Sequence, residues 1–137
     1  MKVYIAGTFA NRNKLRPVRN QLWEMGHQVV SSWLDETSKP AFMTAEEYQR
    51  KLAIKDLCEV SSADLIIVDC ESISGGKNCE LGFSLRGFHN HIIWTVGDPN
   101  NIFQVLVDRH FDTWKDCLKF ALEYHPGTKS IDANKVK

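Results

Sequence analysis

Asp64-Leu65-Ile66-Ile67-Val68-Asp69 is aliphatic throughout between two acidic ends. A run of this kind, with no polar alternation, reads as a strand buried on both faces, and such strands belong to parallel sheets. A strand covered on both sides needs helices above and below it, so its neighbours should alternate between helix and strand. Upstream, Lys2-Val3-Tyr4-Ile5-Ala6 reads as a short strand ending at Gly7. A helix is expected from Asn13 to Met25, with Leu15, Val18, Leu22 and Met25 on one face, Pro17 in the first turn and Gly26 as the stop. His27 to Ser31 reads as a second strand, and Ser32 to Met43 as a long polar loop. Thr44-Ala45-Glu46-Glu47 is a capping box that opens a helix to about Val60. Downstream, a helix is expected from Asn78 to Phe88 and a strand from His91 to Val96. Asp98-Pro99 should start a short helix through Val107. His110-Phe111 reads as the last strand, and Asp112 as the cap of a helix to Tyr124, stopped by Pro126-Gly127.

This alternation predicts an α/β fold: a three-layer, flavodoxin-like (Rossmann-like) five-stranded parallel sheet, order 2-1-3-4-5, with helices on both faces. A length of 137 residues fits one domain over residues 1–126, followed by a loose tail over 127–137 that has no apolar period. Lys plus Arg equals Asp plus Glu at 17 each, so the chain lacks the excess of positive charge that a nucleic-acid binder carries. No apolar run approaches the roughly 20 residues of a membrane helix, and the first residues read as a strand rather than a secretory signal. The expected location is therefore the cytoplasm, with neither a membrane nor a nucleic acid as partner. Cys58, Cys70, Cys79 and Cys117 form no CxxC pair and read as reduced thiols. His89-Asn90-His91 reads as a polar link rather than a metal pair, so no metal and no cofactor are expected.

A sheet of this order binds ligands beyond the carboxyl ends of its strands, at the switch point between strands one and three. Gly7-Thr8-Phe9 should meet the segment from Cys70 to Gly76 there. The sharpest local feature follows: Ser74-Gly75-Gly76-Lys77-Asn78-Cys79-Glu80-Leu81-Gly82. Its glycines let the backbone approach a ligand, and the helix start beyond offers free N–H groups to a phosphate. The same residues also make a plain strand-to-helix turn, and they form neither a Walker loop nor a GxGxxG fingerprint. Glu80 should lie in the first helical turn, where the macrodipole favours its charge, overlooking the crevice. Asp56 falls near the carboxyl end of its helix among Leu52, Ile54 and Leu57. It is either an exposed partner of Lys55 or Arg50, or a partly buried acid whose raised pKa suits proton donation.

The ordered set comprises Val3-Tyr4-Ile5-Ala6-Gly7, Asp56-Leu57 eight residues before Asp64, the Asp64–Val68 run, and Ser-Gly-Gly-x-x-x-Glu-Leu-Gly. It resembles the nucleoside 2-deoxyribosyltransferase superfamily, which includes the deoxynucleoside 5′-monophosphate N-glycosidases and the CMP-type hydrolases. The resemblance covers roughly residues 1–115 and implies cleavage of an N-glycosidic bond through a covalent sugar intermediate. It implies Glu80 as nucleophile, Asp56 as the acid that protonates the base or activates water, and Tyr4 as the group orienting Glu80, where Tyr4 is otherwise a packed strand aromatic. Ser74, with Gly75 and Gly76, matches the loop that holds a 5′-phosphate in the monophosphate-hydrolase branch, where the transferases carry an acid for the sugar hydroxyl. Gly7, Thr8 and Phe9 would line the crevice, while Arg12 reads better as a solvated helix-start arginine than as a phosphate ligand. Trp33 either contacts the base or packs in the core. Asn101 either matches a stretch that family oligomers lend to a neighbouring site or only starts a helix.

The expected function is release of free base from a nucleoside 5′-monophosphate or nucleoside by a homodimer or higher homo-oligomer that shares active-site residues. Trp94, Phe103 and Trp114 are candidates for its contacts. The alternatives are a deoxyribosyltransferase that exchanges bases and, in a different class, a non-catalytic nucleotide sensor or sponge. A redox flavin protein has little support, because no Ser- and Thr-rich loop follows strand one.

Overall fold

The computed structural model describes residues 1–71, 74–86 and 90–124. The tail over 127–137, the Pro126-Gly127 stop, the helix end at Phe88, His89 of the polar link, and Ser72 and Ile73 of the glycine loop lie outside the described residues. Strands β1 (Lys2–Ala6), β2 (Gln28–Val29), β3 (Leu65–Asp69), β4 (Ile92–Val96) and β5 (Arg109–Phe111) form one parallel sheet in the order β2-β1-β3-β4-β5, as expected. The helices are α1 (Arg12–Glu24), α2 (Ala45–Ser62), α3 (Gly75–Arg86) and α4 (Trp114–Glu123). Right-handed crossovers in this order put α1 with α4 and α2 with α3, one pair on each face.

The aliphatic run behaves as its composition requires. Every residue of β3 and of β4 is buried, as are Val3 to Ala6 of β1. Beside β5, Trp94 meets Phe111, Phe120 and Tyr124 edge-on, with centroids 5.4, 5.3 and 5.3 Å apart. Such pairs stabilise by about 0.5–1.5 kcal/mol each beyond the area they bury. Trp94 is thus a core residue and is not available for a contact between subunits. No helix among the described residues is long and apolar enough to cross a membrane.

Local signals held where a side chain could act alone. Thr44 Oγ1 accepts from Glu47 N at 3.1 Å and caps α2. Gly26 adopts φ +93° just beyond α1, a conformation that favours glycine. Other boundaries moved. α1 starts at Arg12, so Pro17 sits in its second turn rather than its first. α3 starts at Gly75, three residues before the expected Asn78, because Ser74 Oγ accepts from Lys77 N at 3.3 Å and caps it there. The helix expected from Asp98 is only a 3-10 turn, Ile102–Val105. Asn101 Oδ1 starts it by accepting from Phe103 N at 2.9 Å and Gln104 N at 3.2 Å. Thr113 rather than Asp112 caps α4, accepting from Asp116 N at 3.2 Å, while Asp112 faces His110.

Two adjacent strands place the crevice. β1 and β3 pair side by side up to Ala6 and Val68, after which the chain leaves towards α1 on one face and α3 on the other. Gly7 stands at this parting. A Cβ there would come within 2.7 Å of Leu15 Cδ1, and within 3.5 Å of Trp33 and 3.6 Å of Asp69. A side chain at position 7 would therefore have to displace the buried Leu15 methyl, and glycine lets α1, the 3-10 turn Ser32–Asp35 and β3 pack closely against the end of β1.

Candidate active site

Three elements each deliver one polar side chain to the same buried place. β1 brings Tyr4, α2 brings Asp56 and α3 brings Glu80. Tyr4 is 0% exposed, and its hydroxyl lies against the Glu80 carboxyl, close enough to restrain the carboxyl's pKa. Neither Tyr4 Oη nor Glu80 Oε2 reaches full hydrogen-bond geometry with a partner among the described residues. Asp56 Oδ1 is likewise buried without a partner, and neither carboxylate joins an ion pair among the described residues. Buried polar groups are ordinarily paired, so two carboxylates meeting beside a buried tyrosine, each with an oxygen left over, make this a candidate site.

Burial also sets the titration of these groups. It pushes Asp56 up to about 6; the charge of Glu59 adds to the rise and Lys55 opposes it. It pushes Glu80 up to about 7; the Tyr4 hydroxyl holds the rise back, while Asp56 and Glu59 add to it. The Tyr4 hydroxyl is raised as well, first by burial and then by the charges of Glu80 and Asp56. For Asp56 this is the partly buried state that suits an acid. For Glu80 the helix-dipole expectation fails. With α3 starting at Gly75, Glu80 is the sixth helical residue, beyond the first turn where the dipole acts, and burial outweighs the dipole.

The remaining candidates divide. Thr8 Oγ1 is buried beside the end of β1 with no partner among the described residues. Phe9 is 54% exposed, and the Arg12 guanidinium lies 4.1 Å over its ring. Arg12 Nη1 also donates to Glu36 O at 2.7 Å, so Arg12 is committed to the loop after β2. Arg16 Nε holds Leu34 O at 2.7 Å, and Arg19 Nη1 holds Asp35 Oδ2 at 2.6 Å. Lys55 and the Tyr48 hydroxyl hold the Glu36 carboxylate at 2.5 and 2.8 Å, so that loop is clamped from both α1 and α2. Trp33 is 7% exposed, and its indole N–H donates to Ile5 O at 2.8 Å, which makes it a core residue packed beside Gly7. Gly75 and Gly76 form the exposed first turn of α3 beyond Ser74. Asn101 Nδ2 donates to Asn78 Oδ1 at 2.8 Å, tying the 3-10 turn to α3 next to the glycine loop.

The sequence reading missed three charged residues. Glu59, three residues after Asp56 on α2, was legible from helical spacing alone. Asp69, at the end of β3, accepts from Asn11 Nδ2 at 3.3 Å and Trp114 Nε1 at 3.2 Å. Lys77 is 0% exposed; burial lowers its pKa, against the charges of Cys70 and Asp69. A cavity of about 500 Å³ at the carboxyl ends of β3 and β4 is lined in part by Asp69, Cys70 and Gly97. A more open groove of about 960 Å³ runs along the outer face of α2 from Thr44 to Lys55 and is not lined by Tyr4, Asp56 or Glu80. The candidate site is therefore chosen on the convergence of buried polar groups rather than on cavity size.

No protein-family model and no curated protein sequence matches the chain. Its fold is shared by solved structures. A 2-deoxyribosyltransferase from the psychrotolerant bacterium Bacillus psychrosaccharolyticus superposes with a TM-score of 0.71 at 19% identity, over 93% of this chain and 95% of that one. A Clostridium botulinum CMP N-glycosidase, BcmB, superposes with a TM-score of 0.54 at 18% identity, over 90% of this chain and 100% of that one. A conserved protein from Enterococcus faecalis V583 gives 0.65 at 15% identity, over 90% and 98% of the two chains.

Proposed function

We propose that this chain is an enzyme of the nucleoside 2-deoxyribosyltransferase superfamily that cleaves the N-glycosidic bond of a nucleoside 5′-monophosphate, or of a nucleoside, and releases free base. The observation that carries the reading is the meeting of Tyr4, Asp56 and Glu80, with a buried unsatisfied atom on each. A transferase and a CMP N-glycosidase of the same fold support it.

The chemistry follows from the two carboxyls. The ionised Glu80 attacks C1′ of the sugar through an oxocarbenium-like state, and the C1′–N bond breaks with its electron pair going to the base. Protonated Asp56 gives its proton to the departing base. Tyr4 Oη donates towards Glu80 and fixes which oxygen attacks. Asp56, now a carboxylate, takes a proton from water as that water attacks C1′, and the Glu80 ester breaks. The products are free base and sugar phosphate, with both carboxyls restored. Ser74 and the first turn of α3 would hold the 5′-phosphate. Ser74 in place of an acid favours the phosphorylated substrate, and so hydrolysis over base exchange.

This assignment requires Glu80 charged and Asp56 neutral, although Glu80 titrates at about 7 and Asp56 at about 6. The active form is limited on both sides, so kcat/KM for base release should follow a narrow bell with its maximum between those values. The two limbs belong to the coupled pair rather than to either residue. A profile that is flat from about pH 5 to about pH 8 contradicts the assignment.

Ser74→Asp should keep the α3 cap, because Asp accepts from the same N–H, while repelling a phosphate. Release of base from monophosphates is expected to fall at least about tenfold, and release from nucleosides to hold. Equal losses for both substrates would remove the phosphate assignment.

The proposal includes a homo-oligomer. Exposed Ile54 and Leu57 on α2, Phe83 and Leu85 on α3, and Ile102 and Phe103 on the turn packed against α3 form apolar surface of the kind a second copy covers. Size-exclusion chromatography with light scattering tests it, and a monomer at micromolar concentration would contradict it.

A further inference from the structure

The mechanism above uses two carboxylates, but three stand at the site. Glu59 lies one helical turn beyond Asp56, on the same face of α2. Its Oε1 accepts from Ser32 N at 3.2 Å, which fixes it against the start of the turn that carries Trp33. It is partly buried and joins no ion pair among the described residues. Lys55, the nearby cation on its own helix, is held at 2.5 Å by Glu36 instead. Beside Glu59, Ser32 Oγ is buried with no partner among the described residues. Tyr4 Oη, fully buried against the Glu80 carboxyl, feels the charges of both Asp56 and Glu59, which places Glu59 at the same site. Next to the acid that must touch the leaving base there is thus a carboxylate with an oxygen to spare and an unsatisfied hydroxyl.

A carboxylate only accepts hydrogen bonds. A base that presents an amino group there pairs with it. A base that presents a carbonyl at the same point sets a lone pair against a charge, and its nearest donor is the neighbouring ring N–H, one atom out of register. We propose that Glu59, with Ser32 Oγ beside it, reads the departing base and selects one that carries an exocyclic amino donor over its carbonyl counterpart. This rests on the nucleotide-cleaving reading above and narrows its substrate class.

The test uses two pairs of monophosphates that exchange an exocyclic amino group for a carbonyl, with a proton on the neighbouring ring nitrogen: cytidine against uridine and adenosine against inosine, in ribo and deoxyribo forms. Turnover is measured on the wild type, and binding by calorimetry on the non-cleaving Glu80→Gln variant, each with and without Glu59→Gln. The amino member of a pair should be preferred by at least about tenfold in both measurements. Glu59→Gln, which still accepts from Ser32 N, should reduce that ratio to about threefold or less with an unchanged unfolding midpoint. A purely structural Glu59 would not move the ratio. Equal use of both members by the wild type, or an unchanged ratio in Glu59→Gln, overturns the inference and leaves the enzymatic reading standing. Preferential binding with no base released retires the enzymatic reading and keeps this one. Failure to bind any of the nucleotides overturns both.

Discussion

Glu80→Gln is expected to lose base release by about 10⁴-fold or more and, at pH 8, to unfold less readily than the wild type. The first half follows from the role. Glutamine cannot form the ester at C1′. The second half follows from burial. In the folded chain the Glu80 carboxyl keeps its proton up to about 7, against an ordinary 4.5. Between those values the folded state carries a proton that the unfolded state has lost, so stability falls as pH rises through the interval. Below it the group contributes no penalty; above it the fold must hold a desolvated carboxylate. Removing that charge should raise stability at pH 8 by about 3 kcal/mol and change it little at about pH 4. Urea titrations of both proteins at the two pH values check this. Turnover near the wild-type rate would remove the nucleophile, and a loss of stability at pH 8 would mean that Glu80 serves the fold.

Asp56→Asn should slow base release by about 10²–10⁴-fold, because the base must then depart without a proton. The loss should depend on the leaving group. A nucleotide whose base is already cationic, such as a 7-methylated guanosine monophosphate, should lose much less, since its base departs neutral. The fall in activity above neutral pH should also disappear, leaving a single rising limb set by Glu80. Comparison of the two substrates across pH measures all three effects. Equal losses on both, with the bell intact, would assign the proton to another group.

The sequence made the frame of this site legible, but not its electrostatics. The Asp64–Val68 run announced a doubly covered strand because four aliphatic residues in succession have no solvent-facing alternative. From that strand the sheet order and the crevice between Gly7 and the glycine loop followed. The start of α3 was misplaced because Gly75 and Gly76 have poor helix propensity, and the Ser74 cap with packing against α2 and β3 overrode it. Pro99 suggested a helix start, yet the side chain of Asn101 set the turn two residues later. Trp33 could not be assigned from its position, because an indole that stacks on a ligand and one that bonds to Ile5 O look alike in sequence. The charge state of Glu80 was beyond reach for the same kind of reason. Its burial is produced by β1 and α2, which are distant in the chain, while the local pattern showed only a glutamate near a helix start.

Cleavage through Glu80 leaves a covalent bond between its carboxyl and the sugar, and mass spectrometry of protein quenched during turnover looks for that bond directly. A substrate with fluorine at C2′, which slows breakdown of the intermediate, should add the mass of one sugar phosphate to the peptide that contains Glu80, and water should then remove it. Base released with the added mass on another peptide, such as the one bearing Asp56 and Glu59, would contradict cleavage through Glu80.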